Sequence, residues 1–464
     1  MLIPATPEFA AAHGIAAEPA PPAYLEEPRG IARGHGLLVR PDSTAEVARI
    51  VKACAQAGVG IVPWGGGTGL VGGQVTDADP PPLILSLERL NRLRAVDAAA
   101  GTMIVEAGMT LADVRSAAEG VDRLFPLSLA SEGTCRIGGN LATNAGGTQV
   151  LRYGNARDLC LGIEAVLADG SVINGLKGLR KDNTGFDLRH LLIGSEGALG
   201  IITAACLRLF PRPAEFATAM ASVPNPRAAI ALLARLQQAT GGLLSGFELI
   251  SGVGLQFLRE VGPQVRHPFA TPPPWMVLVE AGGGAGSGVE GAVTGALEAA
   301  LEAAEIDDVL LAQSAQQRDD FWNLRESLPD ANRRIGAISS HDISLPISEI
   351  PVFLDRVETA VSPFGAFRIN CFGHLGDGNL HTNVFPPRGG DRADHAAQRA
   401  AISDAIHALV HAHGGSISAE HGIGRFKRDA LARFGDPAKL AAMRAIKRAL
   451  DPKGILNPGA VLPD

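Results

Sequence analysis

Two histidines flank a turn in the stretch FRINCFGHLGDGNLHTNVF, residues 367–385. Asp377-Gly378 is a hairpin dipeptide between two apolar runs. A turn centred on it makes His374 and His381 cross-strand partners, with Cβ atoms about 4.5–5.5 Å apart, which suits two imidazoles on one metal ion. Further on, Glu420-His421 stands in AEHGIG, after a helical run at 394–413 and the turn Gly414-Gly415. That pair adds a carboxylate ligand and an acid/base group. Two histidines and one carboxylate with open positions suit Zn2+, Mn2+ or Fe2+, and the sequence leaves the choice open. Arg325, in WNLRE on a helical stretch, is a candidate clamp for a substrate carboxylate; the competing reading pairs it with Glu326 or Asp320 on the helix surface.

Three glycine-rich turns outline the scaffold these side chains need. Residues 63–73 read PWGGGTGLVGG, six glycines in eleven residues. Each glycine raises the entropic cost of ordering the chain, so packing does not account for them; a turn whose amides converge on an anion does. Before the loop come a helix expected over 43–58, opened by a Ser43/Glu46 capping box, and a short strand at 59–64. Residues 67–72 also spell GxGxxG, but GQVTDADPPP follows, with three prolines and no helical period, so no Rossmann helix starts there. No Gly-Lys-Ser/Thr follows either, which excludes a P-loop. The loop is expected to hold the diphosphate of a different dinucleotide. A second region, SEGTCRIGGNLATNAGG at 131–147, offers small residues for close backbone approach to a flat ligand and asparagine amides for its edges. In a third, GSEGALGIIT at 194–203, Gly197 and Gly200 bracket a turn into a strand beginning at Ile201.

A chain of 464 residues implies two or three domains. The net charge of −7, with no basic segment, argues against nucleic acid as a partner. Five scattered cysteines without CxxC spacing read as reduced core residues of a cytoplasmic protein. No apolar run is long enough to span a membrane. Short strands alternate with helices up to Phe210-Pro211-Arg212-Pro213, where a domain boundary is expected. Beyond it, two strand–helix–strand units in series, over 216–250 and 275–312, imply an antiparallel sheet with helices on one face.

Taken in order, PWGGGTGLVGG, IGGNLATNAGG, GSEGALGIIT, WNLRE, HDISLP, GHLGDGNLH, EHGIG and LNPG resemble the FAD-dependent D-2-hydroxyacid dehydrogenases of the vanillyl-alcohol oxidase superfamily, across residues 40–459. The resemblance implies an α+β architecture: an FAD-binding domain of two α/β subdomains at 1–212, a substrate and metal-binding cap at 213–424, and a C-terminal segment at 425–464 that returns to the FAD domain. It implies that Pro63, Gly65, Gly66, Gly67, Thr68, Gly69 and Gly72 cradle the FAD diphosphate. Ser131, Gly138, Gly139, Asn140, Leu141, Asn144 and Gly146 would line the flavin side, with Glu196, Gly197, Gly200, Ile201 and Asn457 completing the site. No histidine or cysteine lies in the first loop, so the flavin would be non-covalent.

His374, His381 and Glu420 match the family's metal ligands, Zn2+ favoured over Mn2+ or Fe2+. Arg325 and Asn383 match its substrate contacts, and His421 its catalytic base and a substrate contact. The implied reaction oxidises a D-2-hydroxyacid of the D-2-hydroxyglutarate, D-malate or D-lactate type to the 2-oxo acid. Electrons would pass to an electron-transfer flavoprotein, a quinone or another redox protein. Alternatives are an oxidase using O2 on a 2-hydroxyacid such as glycolate, and a non-catalytic flavin subunit of a glycolate-oxidising complex. A homodimer is compatible with this reading. Members acting on D-2-hydroxyglutarate carry a threonine and a lysine where this chain has Pro329 and Ser340, which weakens the case for a dicarboxylate substrate.

Overall fold

The computed structural model describes residues 2–262 and 264–463, so the chain ends of the expected domains, residues 1 and 464, lie outside the described residues. The chain forms two compact units. Residues 1–146, 154–211 and 420–464 make the first; 147–153 and 212–419 make the second.

The first unit holds two sheets, of four and five strands, besides the short pair Arg123–Leu124 with Phe210–Pro211. One runs in the order Ala17–Pro19, Leu37–Val39, Leu83–Ser86, Ile61–Trp64, and the wholly buried Leu83–Ser86 strand lies parallel to both neighbours. Helix Thr44–Ala57 precedes the Ile61–Trp64 strand as its sequence requires: Ser43 Oγ accepts from the Glu46 amide, and Gly58 ends it at φ 82°. Glu46 does not close the expected capping box, because its carboxylate accepts from the Asp42 amide one residue earlier. No helix follows the Gly65–Gly73 loop before the next strand, in agreement with rejection of the Rossmann reading. The second sheet is antiparallel, in the order Leu93–Asp97, Thr102–Glu106, Ile201–Arg208, Cys160–Val166, Val172–Asn174. Glu106, fully buried, receives Arg92 and Arg94, and Arg94 continues to Glu164, which also accepts from Thr44 Oγ1 at 2.6 Å. Helix and sheet are thus joined by charge as well as packing.

The second unit is built on a seven-stranded antiparallel sheet. Its order is Asp308–Leu311, Glu215–Val223, Trp275–Gly283, Leu244–Ser251, Arg368–His374, Asn379–Phe385, Ser339–Ser344. Both strand–helix–strand units are present, through helices Pro226–Thr240 and Val289–Glu302. Alternation along the strands divides the core. Ala219, Ala221, Leu249 and Val277 pack under those helices together with Ile350–Val361 and Arg399–Ala412. Met220, Ile250, Met276, Leu278 and Phe372 point the other way, against helices Gly252–Val261 and Ala315–Ile335. The expectation of helices on one face alone is therefore corrected: strands buried on both sides need cover on both. It is the second face that carries the polar residues of interest.

Candidate active site

Arg325 lies on the inner side of helix Ala315–Ile335, 5% exposed, and not on the surface as the competing reading had it. Its Nε donates to Glu248 Oε2 at 2.7 Å, and its guanidinium stacks 4.9 Å above the Phe372 ring. The remaining guanidinium hydrogens meet no protein acceptor among the described residues. A buried guanidinium fixed at Nε and presenting its terminal fork is the geometry that takes a carboxylate bidentately.

Glu248 is fully buried at the middle of the sheet. Burial alone would raise its pKa, but the charges and hydrogen bonds of His374 and Arg325 outweigh it and hold the carboxyl at about 2. His374 Nδ1 lies 2.6 Å from Glu248 Oε1. Nδ1–H donates to that ionised carboxylate, which makes Nε2 the ring nitrogen that would serve a metal. Carboxylate–histidine pairs of this kind orient metal-ligating imidazoles.

The hairpin register corrects the sequence expectation. Residues 375–377 form a 3-10 turn with Gly378 left-handed at φ 85°, so the turn centre moves toward the N-terminus. His381 stands opposite Phe372, and His374 is two pairs further along, so the two histidines are diagonal neighbours. They share a face all the same, with ring centroids 5.8 Å apart. On the other side of His381, directly opposite, is Asp342. Asp342 Oδ1 accepts from Asn379 Nδ2 at 2.9 Å and Oδ2 from the Ala419 amide at 3.2 Å. Asn383, 6% exposed, continues this face, flanked by Ser340 and Asn370. Glu248 and Asp342 were not singled out from the sequence. Each becomes visible only through pairing between strands far apart in the chain.

Glu420 follows Ala419 directly and opens the last segment of the first unit. Glu420 Oε1 lies 3.7 Å from His421 Nε2. The two residues after Gly422 are held by Glu196, whose carboxylate oxygens accept from the Ile423 and Gly424 amides at 2.8 Å each. Burial pushes the Glu196 carboxyl above its ordinary value in spite of those bonds.

The expected cofactor residues converge within the first unit. A Cβ on Gly65 would lie 3.4 Å from the Gly139 Cα, and one on Gly66 only 2.2 Å from the Thr134 carbonyl, so the first two glycine regions meet backbone to backbone. Gly138 and Gly139 belong to a short helix, Ile137–Ala142. Asn144 spends Oδ1 on the Arg157 amide, and Asn140 Nδ2 sits 3.6 Å from Cys135 Sγ. Those two contacts position backbone, whereas the sequence reading had offered the amides to a ligand. Asn457 donates to the Gly73 and Glu196 carbonyls at 3.1 and 2.8 Å, tying the first and third regions. A side-chain-free wall of this kind fits the flat ring and diphosphate of a flavin dinucleotide.

Comparison with known proteins agrees. The description "FAD binding domain" matches residues 36–175, and "FAD linked oxidases, C-terminal domain" matches 212–461. The chain is 35% identical over 427 residues to D-2-hydroxyglutarate dehydrogenase, mitochondrial, of Arabidopsis thaliana, covering 92% of this chain and 75% of that one. It is 37% identical over 423 residues to D-2-hydroxyglutarate dehydrogenase of Xanthomonas citri pv. viticola, covering 91% and 88%. A structure of p-cresol methylhydroxylase with substrate bound superposes with a TM-score of 0.74 at 17% identity, over 91% of this chain and 88% of that one, a likeness of fold. The chain is an FAD-linked oxidoreductase of the vanillyl-alcohol oxidase fold. Within that class it belongs to the D-2-hydroxyacid dehydrogenase family.

Proposed function

We propose that this protein oxidises a D-2-hydroxyacid to the 2-oxo acid with metal assistance and passes the electrons to an acceptor other than O2. The observation that carries the reading is Arg325: a buried cation held at Nε by Glu248, which leaves its terminal fork for a substrate carboxylate. Bound FAD supplies the two-electron oxidant, and a divalent cation, Zn2+ favoured over Mn2+ or Fe2+, would acidify the 2-hydroxyl. By the resemblance His374, through Nε2, His381 and Glu420 would hold that cation, and Asp342, paired with His381 in the sheet, would add a second carboxylate; carboxylates and imidazoles are ordinary ligands for it. His421 takes the hydroxyl proton on its ring, and Glu420 beside it steadies the resulting positive charge. Asn383 hydrogen-bonds the substrate from the sheet.

The substrate class spans D-lactate, D-malate and D-2-hydroxyglutarate. Ser340 is exposed and uncharged beside Asn383, and Pro329 is exposed on its helix, so neither supplies a cation for a second carboxylate. Comparing kcat/KM across these three acids tests this part, and a preference of more than about 100-fold for the two diacids over D-lactate, ~3 kcal/mol, would contradict it. Loss of activity on chelation, restored by Zn2+, is expected; full activity in metal-free protein would remove the cation from the scheme. Steady O2 consumption without added acceptor would make the protein an oxidase. Five free, buried cysteines support a reducing compartment, and we place the protein in the cytoplasm on that basis.

A further inference from the structure

The glycine loop has an asymmetry that its sequence does not reveal. From Gly65 to Gln74, no backbone N–H donates to an acceptor among the described residues. Six carbonyls of the same loop, those of Gly67 and of Gly69 to Gly73, are occupied. Gln74 Nε2 donates to Gly69 O at 2.8 Å and to Gly67 O at 3.3 Å. Arg29, itself held by Glu27, donates to Leu70 O. Val71 O accepts the Arg425 and Phe426 amides at 2.8 and 3.2 Å. Arg425 Nη1 donates to Gly72 O at 3.0 Å and Gly73 O at 2.8 Å, and Asn457 Nδ2 also donates to Gly73 O. In a trans peptide the C=O and N–H point in opposite directions. Pulling the carbonyls to the protein side therefore turns the amides to the other side, where an anion can collect them.

We propose that Arg425 and Gln74, with Arg29 and Asn457, are positioning residues for the cofactor: they harness the loop carbonyls so that its amides form the diphosphate site. None needs to touch the cofactor to set its affinity. Arg425 is well placed for the task, since its Nη2 is anchored on Asn457 Oδ1 and the Pro458 carbonyl, both at 2.9 Å, and cannot follow the loop outward. The inference rests on the reading of this loop as the diphosphate cradle, and the test separates the two.

Deflavinated full-length protein is titrated with FAD by quenching of flavin fluorescence, with ADP as competitor, and its thermal unfolding is recorded without ligand. Arg425→Gln and the isosteric Gln74→Glu, which replaces a donor by an acceptor, should each weaken FAD and ADP roughly 10- to 100-fold, as expected for lost charge-assisted or reversed hydrogen bonds. Arg425→Lys, which keeps one charged donor, should recover part of the loss. Wild-type FAD affinity in both variants overturns the harness. So does a loss that lysine does not relieve and that comes with an equal fall in apo-protein stability, the mark of general loosening. If ADP fails to compete in the wild-type protein, the diphosphate reading of the loop falls, and the harness with it.

Discussion

The glycine loop and the Glu248–Arg325–His374 cluster are built by opposite means. The loop is a short, local stretch that presents bare backbone, and the anion specificity proposed for it would come from peptide direction. The cluster is assembled from a strand at 244–251, a helix at 315–335 and a hairpin at 368–385, and its specificity comes from side-chain charge fixed by burial. The first kind of site tolerates changes around it as long as the backbone holds its course. In the second, each partner is needed to keep the others satisfied. Substitutions should therefore separate the two: those in the loop should act on cofactor retention, and those in the cluster on turnover of protein that still holds FAD.

The largest effect is expected at Arg325. Arg325→Ala leaves Glu248 buried with one partner fewer and removes the carboxylate fork, and kcat/KM should fall by about 10^3-fold or more, ~4 kcal/mol or above, with FAD still bound. A fall below tenfold in rapid-mixing assays would remove Arg325 from the substrate site. His421→Ala should slow substrate-driven flavin reduction by about 10^2- to 10^4-fold. If reduction proceeds at the original rate, His421 is not the base. In the loop, Gly66→Ala drives a Cβ to 2.2 Å from the Thr134 carbonyl. It should yield protein largely free of FAD after gel filtration, and an unchanged flavin-to-protein absorbance ratio would mean that the two regions separate at no cost.

A smaller effect is expected in the first unit's ion network. Burial alone would raise Glu106 and Glu164; hydrogen bonds from Arg92 and Arg94 to Glu106, and from Arg94, Thr44 and Thr203 to Glu164, outweigh it and lower both carboxyls. The unfolded chain then takes up protons first, near the ordinary value of about 4.3. The stabilisation is complete at neutral pH and is lost as pH falls below that value through the folded pKa. Glu106→Gln should lower Tm by about 2–4 °C at pH 7 and less toward pH 3. A deficit that grows with acidity would contradict the sign.

How much of this was legible in the sequence follows from the same comparison. Helix Thr44–Ala57 was readable to its caps, since Ser43 and Gly58 act locally, and so was the absence of a helix after the glycine loop. The hairpin was readable but its register was not: a 3-10 turn of three residues and a two-residue turn share the same Asp-Gly signal. Glu248 and Asp342 gave no local signal, because what defines them is a strand partner, His374 or His381, from another part of the chain. Arg425 was hidden for the same reason. Its guanidinium serves a loop more than 350 positions away in the sequence.

The most direct test is anaerobic reduction of the bound flavin by matched D- and L-2-hydroxyacids, in wild-type protein and in Arg325→Lys, followed at the visible flavin band. The account predicts rapid bleaching by the D enantiomer alone, and in the lysine variant, which still holds FAD, bleaching at least tenfold slower at subsaturating substrate. Equal bleaching by both enantiomers, or an Arg325→Lys variant as fast as wild type, would contradict it.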